Sequence, residues 1–474
     1  MLGSQHDVAV REDAPRVLVV GGGFGGLAAV AKLARTGYRV TLADRHIYAT
    51  FQPLLYQVAT AGLAPSDVAY PLRGFAHRQQ ARFRHGDLSG IDPAAQIAEF
   101  SDGGRAGYDY LILATGVAAA FFGITGAAEH SYGLYTLHDA VSLRERIMAG
   151  LERLSVAAHR EEVTVTIVGG GATGVELAGT LADLRNLALP ASYPDLDPAC
   201  VHIRLVEMAP GVLGPFAPPL RCYAAQQLRA RGVDLRLDAT IKEITAQSII
   251  LDSGEVLRSD LTAWAAGISG PDEARQWGLP QGRGGRPLTG PDLRVAGQDR
   301  IFAIGDIALI DGHPLPQLAQ PALQMGRHAA AQIRRLEAGQ QTVPFTYHDK
   351  GIMATIGSRS AVVQLNHGIR FRGAVAWFAW LALHLITLLG GRNRISALIN
   401  LSWRYLSWQR GGGIIAGDDP PAPGTTGLGT ASPMSHQRPL PGRSSPGQQA
   451  PDREPADGQP AGRERADGPV PGAG

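Results

Sequence analysis

Residues Arg16 to Arg45 read RVLVVGGGFGGLAAVAKLARTGYRVTLADR. The apolar run Val17–Val20 suits a strand buried on both faces, since a parallel strand covered by helices keeps no polar side. Gly21, Gly23 and Gly26 then form G-x-G-x-x-G straight after the strand and at the opening of a helix, with Phe24 and Gly25 inside the turn. The first glycine permits the tight turn, the second lets backbone approach a pyrophosphate, and the third packs helix against strand. The helix N-terminus offers free amides and a partial positive charge to phosphates. Asp44 follows about 20 residues on, placed to accept ribose hydroxyls. Strand, helix and acid are all in place, which favours a dinucleotide site over a merely structural turn.

The same grammar returns in EEVTVTIVGGGATGVELAGTLADL from Glu161, with Gly169, Gly171 and Gly174. Glu207, closing VHIRLVEMAP, is the candidate ribose acid; a carboxylate there would repel a 2′-phosphate and favours NADH over NADPH. The longer linker LALPASYPDLDPAC predicts a helix extension and a loop. YDYLILATG (Tyr108–Gly116) reads as a strand ending in Thr115 and Gly116, and LTAWAAGIS (Leu261–Ser269) as its counterpart, with Ala266 and Gly267. IFAIGDIA (Ile301–Ala308) is a strand followed by Gly305 and Asp306. The first unit is therefore interrupted by the second and completed afterwards. Two such folds in one chain imply electron transfer between two bound cofactors, most economically FAD in the first and NADH in the second. Asp306 then fits a role on the flavin's ribityl and phosphate side, the alternative being a helix-cap aspartate.

The expected fold class is α/β, with two nested Rossmann-like dinucleotide-binding domains plus a C-terminal α+β membrane-docking region. A polar lead (1–15) precedes a discontinuous FAD domain (16–118 and 286–344), an NADH domain (119–285), the C-terminal region (345–410) and a tail (411–474). The tail is mostly Gly, Pro, Ser, Arg and Asp and is too poor in apolar surface to offset chain entropy, so disorder is expected. The 45% hydrophobic and 18% charged content suits ample core, and a net charge of +2 gives no electrostatic reason to expect nucleic acid. Cys200 and Cys222 are too far apart for a C-x-x-C pair and too few for a disulfide framework. With no thiols beside either turn, the electron acceptor must be external. No metal cluster is visible. MLGSQHDVAVRED lacks the apolar core of a signal peptide, so the cytoplasm or its face of a membrane is expected.

LPQLAQPALQMGRHAA (Leu315–Ala330) opens with Pro316 and continues as a helix. Gln320 and Gln324, spaced i, i+4, share one face. Their amides could donate to a quinone carbonyl, with Ala319 and Ala322 leaving room for a flat ring; equally they could bond flavin or backbone at a helix N-terminus.

GGGFGG, FQPLLYQVATAGL, DYLILATG, IVGGGATGVELAG, IFAIGD and LAQPALQ together resemble the type II NADH dehydrogenases, single-subunit NADH:quinone oxidoreductases that do not pump protons. The resemblance runs from about Arg16 to Arg410. FQPLLYQVATAGL and A-Q-P-A-L-Q are its specific parts. It implies that Gln320 and Gln324 border a quinone pocket beneath the flavin, and that Glu176 lies near where nicotinamide stacks; these three are the expected catalytic residues. Pro53, Leu54, Leu55 and Tyr56 would form the loop around flavin and quinone. Asp349–Gly351 and Gly391–Arg394 match further family elements, while Met325 departs from the family's frequent Gln or Ile.

The segment AVAWFAWLALHLITLLGGRNR (Ala374–Arg394) is apolar for fewer than the roughly 20 residues a spanning helix needs. ALINLSWRYLSWQR follows, with Trp403, Tyr405 and Trp408 interleaved with Arg404 and Arg410. Aromatics prefer the headgroup level and arginines anionic phosphates, so two helices lying in the interface would dock the protein on the cytoplasmic face of a bilayer. A buried hairpin or a homodimer interface is the alternative. The expected acceptor is a membrane quinone, menaquinone or ubiquinone. Rival readings are a soluble NADH-dependent reductase of a ferredoxin or other carrier, and a membrane-bound flavoprotein redox sensor.

Overall fold

A computed structural model describes residues 13–34, 36–156 and 161–407, apart from the side chains of residue 367 and residues 404–407. Most of the polar lead, Trp408, Arg410 and the tail lie outside the described residues, as do the side chains of Arg404 and Tyr405.

Two five-stranded parallel sheets dominate. In the first, the order is Ile301–Ala303, Tyr110–Leu113, Arg16–Val20, Arg39–Asp44, Arg82–His85. In the second it is Ser131–Gly133, Leu261–Trp264, Val163–Val168, Val201–Val206, Val233–Arg236. Position for position the two are the same sheet. The inner strands are Val-, Ile- and Leu-rich because helices cover both faces: Val163–Val168 and Tyr110–Leu113 are buried throughout. Each such apolar side chain contributes about 1.5–3 kcal/mol of burial. A three-stranded antiparallel meander follows the last strand of each sheet, at 88–107 and 241–258. The chain passes between the sheets twice, and those two crossings pair as Ala118–Ala119 against Ile268–Ser269.

The second glycine helix, Ala172–Asp183, continues through a π-helical stretch, Leu184–Ala188, into Leu189–Ser192. The expected extension is therefore there, with a one-turn widening inside it. One helix expectation is corrected. The helix of the glutamine segment starts at Ala319, not at Pro316, and Leu318 before it is extended. Pro321 sits in its first turn, where a missing N–H costs no bond.

The C-terminal region is an antiparallel sheet (Ile352–Thr355, Ala361–Gln364, Arg370–Arg372) and two helices, Ala374–Thr387 and Gly391–Ser407. Among the described residues no helix is long and apolar enough to cross a membrane. The last helix is tied to the Pro65–Val68 turn by Asp67, which accepts from Ser396 Oγ at 2.6 Å and Asn400 Nδ2 at 2.7 Å.

Candidate functional site

The two glycine turns repeat each other in detail. Gly21 has φ +111° and Gly169 φ +107°, a region L side chains rarely adopt. A Cβ on Gly21 would strike the carbonyl of Ala114, and one on Gly169 that of Ala265. Gly26 and Gly174 lie so close to the carbonyls of Gly21 and Gly169 that no side chain fits. Gly23 and Gly171 are the opposite case, since a Cβ there would meet no protein atom within 4 Å. Both helices begin without a side-chain cap, so their first amides remain available to an anion. Gly25 belongs to packing: its Cβ would come 3.2 Å from the Ala322 carbonyl, and Gly326 of the same helix presses on Gly25 in turn.

The acids match as well. Asp44 accepts from the Gly22 amide at 2.5 Å and from the His46 amide at 2.6 Å. Glu207 accepts from the Gly170 amide at 2.5 Å and from the Ala209 amide at 2.8 Å. Each carboxylate is locked by the amide after the turn's first glycine and by the amide two residues beyond itself. Remaining lone pairs are free to accept hydroxyls. Burial pushes the Asp44 carboxyl up from its ordinary value, against those two donors.

Around the first sheet's far end, Thr115 Oγ1 is buried without a protein partner. Gly116 and Gly305 both have positive φ, +71° and +69°. Burial lifts the Asp306 carboxyl to about 6, restrained by the Arg286 charge and a hydrogen bond from Tyr135. The Tyr135 hydroxyl also accepts from the Val117 amide at 3.3 Å, and Gln52 donates to the Tyr135 carbonyl at 3.4 Å. Arg286 and Gln317 each donate to the Asp306 carbonyl at 3.3 Å. Sequence reasoning missed Tyr135, Arg286, Gln52 and Gln317. Tyr135 and Arg286 lie in segments with no motif of their own, and Gln52 and Gln317 stand inside FQPLLYQVATAGL and LPQLAQPALQMGRHAA at positions nothing singled out; only the fold brings the four around Asp306. The orphaned Thr115 hydroxyl, the Gly21 cradle that a Cβ would fill and the bare Gly23 backbone fit a flavin dinucleotide. The second turn, with the Gly169 cradle and the bare Gly171 backbone, fits a nicotinamide dinucleotide. At its edge, beyond Ala266, a Cβ on Gly267 would strike the Phe122 ring.

A third group joins the two units. Pro53 and Leu54 lie in the one-turn helix Gln52–Leu54, followed by Leu55–Ala59, with Leu54, Leu55 and Tyr56 buried. The Tyr56 hydroxyl and Thr355 Oγ1 are 3.1 Å apart, and the Thr355 amide donates to Glu176 Oε1 at 3.2 Å. Burial raises the Glu176 carboxyl to about 8, which favours its neutral form. On the glutamine helix, Ala319 is the first residue and Gln320 is half-buried. The Gln324 amide is engaged twice with backbone: Nε2 donates to the His348 carbonyl at 2.9 Å and Oε1 accepts from its amide at 3.0 Å. Of the two roles the sequence left open for Gln324, bonding to backbone is the one seen. Ala322 serves close packing, its Cβ lying 3.2 Å from where a Gly305 side chain would begin. Met325 is core, 2% exposed. Among the described residues no cluster could hold a metal ion, and Cys200 and Cys222 are both free thiols.

Comparison with known proteins agrees with this geometry. The pattern of the pyridine nucleotide-disulphide oxidoreductase family matches residues 15–326. The type II NADH:quinone oxidoreductase Ndh of Mycobacterium tuberculosis is 35% identical over 415 residues, covering 84% of this chain and 89% of that protein. The type II NADH:quinone oxidoreductase of Staphylococcus aureus is 30% identical over 364 residues, covering 74% of this chain and 90% of that one. In fold, the chain is similar to NDH2 from Plasmodium falciparum, solved in complex with NADH, at TM-score 0.78 and 18% identity, covering 84% of this chain and 99% of that one.

Proposed function

The chain belongs to the type II NADH:quinone oxidoreductases, within the pyridine nucleotide-disulphide oxidoreductase family, and from that premise we propose how its own residues serve the oxidation of NADH by quinone. When bound, FAD supplies the hydride acceptor for NADH and the two-electron donor for quinone. Gly21, Gly23 and Phe24 would hold its pyrophosphate at the first helix, with Gly25 and Gly26 keeping that helix packed close to its neighbours, Asp44 its ribose, and Thr115, Gly116, Gly305 and Asp306 the rest of its length. Gly169, Gly171 and Gly174 do the same for NADH, with Glu207 on the ribose. Both oxygens of Glu207 are already fixed by amides, so its charge stays where a 2′-phosphate would come, and NADPH is disfavoured. Glu176 is buried, and because burial favours its protonated form it limits negative charge near the nicotinamide face. Gln320 borders the quinone, and Gln324 braces the 348 backbone beside it. Pro53, Leu54 and Ala319 shape the walls.

One observation carries this reading: two matching glycine turns, each with its acid clamped by the same pair of amides, stand in one chain with no thiol pair beside either. The test is anaerobic mixing of the FAD-loaded protein with NADH, then with a short-chain quinone. Bleaching of the flavin by NADH and return of its colour on quinone are expected. A flavin that NADH leaves yellow would overturn the reading.

The acceptor is a membrane quinone, and docking at the bilayer surface supports its delivery. Val375, Phe378, Ile386, Ile395, Ile399 and Trp403 are each more than half exposed. Their spacing draws an apolar stripe along both C-terminal helices, whereas a reductase of a soluble carrier protein would need a charged docking face. The side that faces the cytoplasm is the one on which NADH is found, which favours the cytoplasmic surface. A homodimer through the same stripe is the competing occupant. Flotation with vesicles, set against sedimentation without them, distinguishes the two.

A further inference from the structure

The helix Leu137–Val156 and the second glycine helix, Ala172–Asp183, share one apolar cluster with Val163, Val165 and Ile167 of the second sheet. Their packing is incomplete. A cavity of about 130 Å³ remains between them, walled by Ile147 and Leu151, by Leu181 and Leu184, and by Ile203 and Leu261 of the sheet. Such a space suits an apolar body of about six carbons, since a cavity of similar volume lined by aliphatic side chains accepts benzene.

A glycine keeps the space open. Gly150 also lines the cavity, in the interior of a 20-residue helix where Ala is the better residue. A Cβ there would meet only Val163, at 4.0 Å. No close backbone approach demands this glycine, unlike Gly26 and Gly174. The chain forgoes both helix propensity and packing at this point, although protein interiors otherwise close such gaps.

The lining is also cationic, with Arg146, Arg153 and Arg185. Arg146 lies over the Tyr132 ring at 5.9 Å, and Arg153 is 4.0 Å from Glu161, both of that pair being more than half exposed. Arg185 stands in the π-helical turn Leu184–Ala188 and is half-buried. It donates to Asn186 Oδ1 at 2.8 Å, to the carbonyls of Val201 at 3.3 Å and Gly232 at 3.2 Å, and to that of Arg231. Burial pulls its guanidinium below the usual value, and no carboxylate acts to offset this. A cation facing only neutral acceptors in a part-buried place is under-compensated. The acid on the lining, Asp260, is engaged by the Thr164 amide at 2.8 Å and by Arg258 at 3.2 Å.

Val163, Val201 and Leu261, which touch the cavity, each open a strand, whereas the glycine turn follows Val168 at the other end. Five residues of strand, roughly 17 Å, lie between the two. We propose that this cavity is a second small-molecule site on the NADH unit, taking a short-chain carboxylate with its apolar body between the leucines and its anionic end at Arg185 and Arg153.

Titration calorimetry of the FAD-loaded full chain with straight-chain probes tests this, with and without saturating NAD⁺. Hexanoate should bind saturably, about tenfold more tightly than hexanol, and hexylamine should not bind. NAD⁺ should leave that affinity unchanged; competition would move the probe to the nucleotide site and overturn the proposal, whatever the glycine turns bind. Affinity should rise from butanoate to hexanoate and fall again by dodecanoate. An affinity that keeps rising with chain length marks the outer stripe of the C-terminal helices instead and overturns the proposal. Gly150→Leu fills the cavity from a backbone with room for the side chain, so it should raise the melting temperature and abolish hexanoate binding. Undiminished hexanoate binding in that variant refutes the site. Arg185→Gln should weaken hexanoate about tenfold and spare hexanol; a hexanoate affinity left as it was refutes the anionic anchor. Should Arg185→Gln fail to fold, the native chain decides, since hexanoate and hexanol binding equally well would refute it too.

Discussion

Glu176 and His384 are buried in opposite senses, and each leaves its mark on stability. Below about 4.5 the folded and unfolded chains both keep the Glu176 proton; between there and about 8 only the folded chain does. Stability therefore falls as pH rises through that window and levels off above it. Glu176→Gln should flatten this slope in denaturant titrations of the holoprotein; an unchanged slope would assign it elsewhere. His384 works the other way. Burial lowers it from 6.5 to about 4, so acidification through that range charges the unfolded chain first and costs stability. Phe in its place should remove the acid-side loss. At the second turn, Glu207→Ala gives up charge-assisted acceptance from a ribose and should raise the KM for NADH about tenfold while improving the ratio for NADPH. The glycines and both acids could be read from the chain because local backbone geometry demands them at fixed spacing. Tyr135 and Arg286 could not, since a tyrosine or arginine outside a motif says nothing until the fold brings it to a carboxylate.

Helices Phe24–Leu33 and Ala172–Asp183 are equivalent in build but serve different ligands, and a matched pair of variants separates them. Gly26→Ala forces a methyl onto the Gly21 carbonyl, a strain of about 1–3 kcal/mol, and should yield colourless protein. Gly174→Ala imposes the same clash on Gly169 and should keep the flavin while weakening NADH; absorbance and a binding titration check the two. The glutamine helix calls for a similar division. Gln320→Leu should spare bleaching by NADH and lower quinone turnover several-fold. Gln324→Leu also frees the His348 backbone, so loosened protection of residues 345–350 in hydrogen exchange should accompany any kinetic loss. The i, i+4 spacing was legible; that one of the pair was occupied with main chain was not, because its partner, His348, lies in the irregular stretch after the helix, where no pattern announces a contact. The helix start was misplaced at Pro316 for a related reason: proline is tolerated throughout a first turn, and here Pro321 fills that part.

For the molecule as a whole, period and repetition carried most of the architecture. Two copies of one strand-turn-helix grammar, with a third short strand returning late, are enough to imply nested sheets. The C-terminal hairpin was legible as apolar and too short to span, yet its inner face was not, because apolar residues facing lipid and apolar residues facing protein look alike in a sequence. Charging the outer stripe with Phe378→Asp and Ile386→Asp should abolish vesicle flotation while leaving flavin bleaching by NADH intact; retained flotation would move the docking surface elsewhere. The nesting has a consequence during synthesis. All five strands of the second sheet lie between Ser131 and Arg236 or at Leu261–Trp264, so that sheet is complete once Trp264 has left the ribosome. The first began earlier but keeps the edge of Tyr110–Leu113 unpaired until Ile301–Ala303 emerges. The half translated first is thus the half finished last, and a nascent chain arrested before Ile301 should resist protease across its younger part while its older part is still being cut.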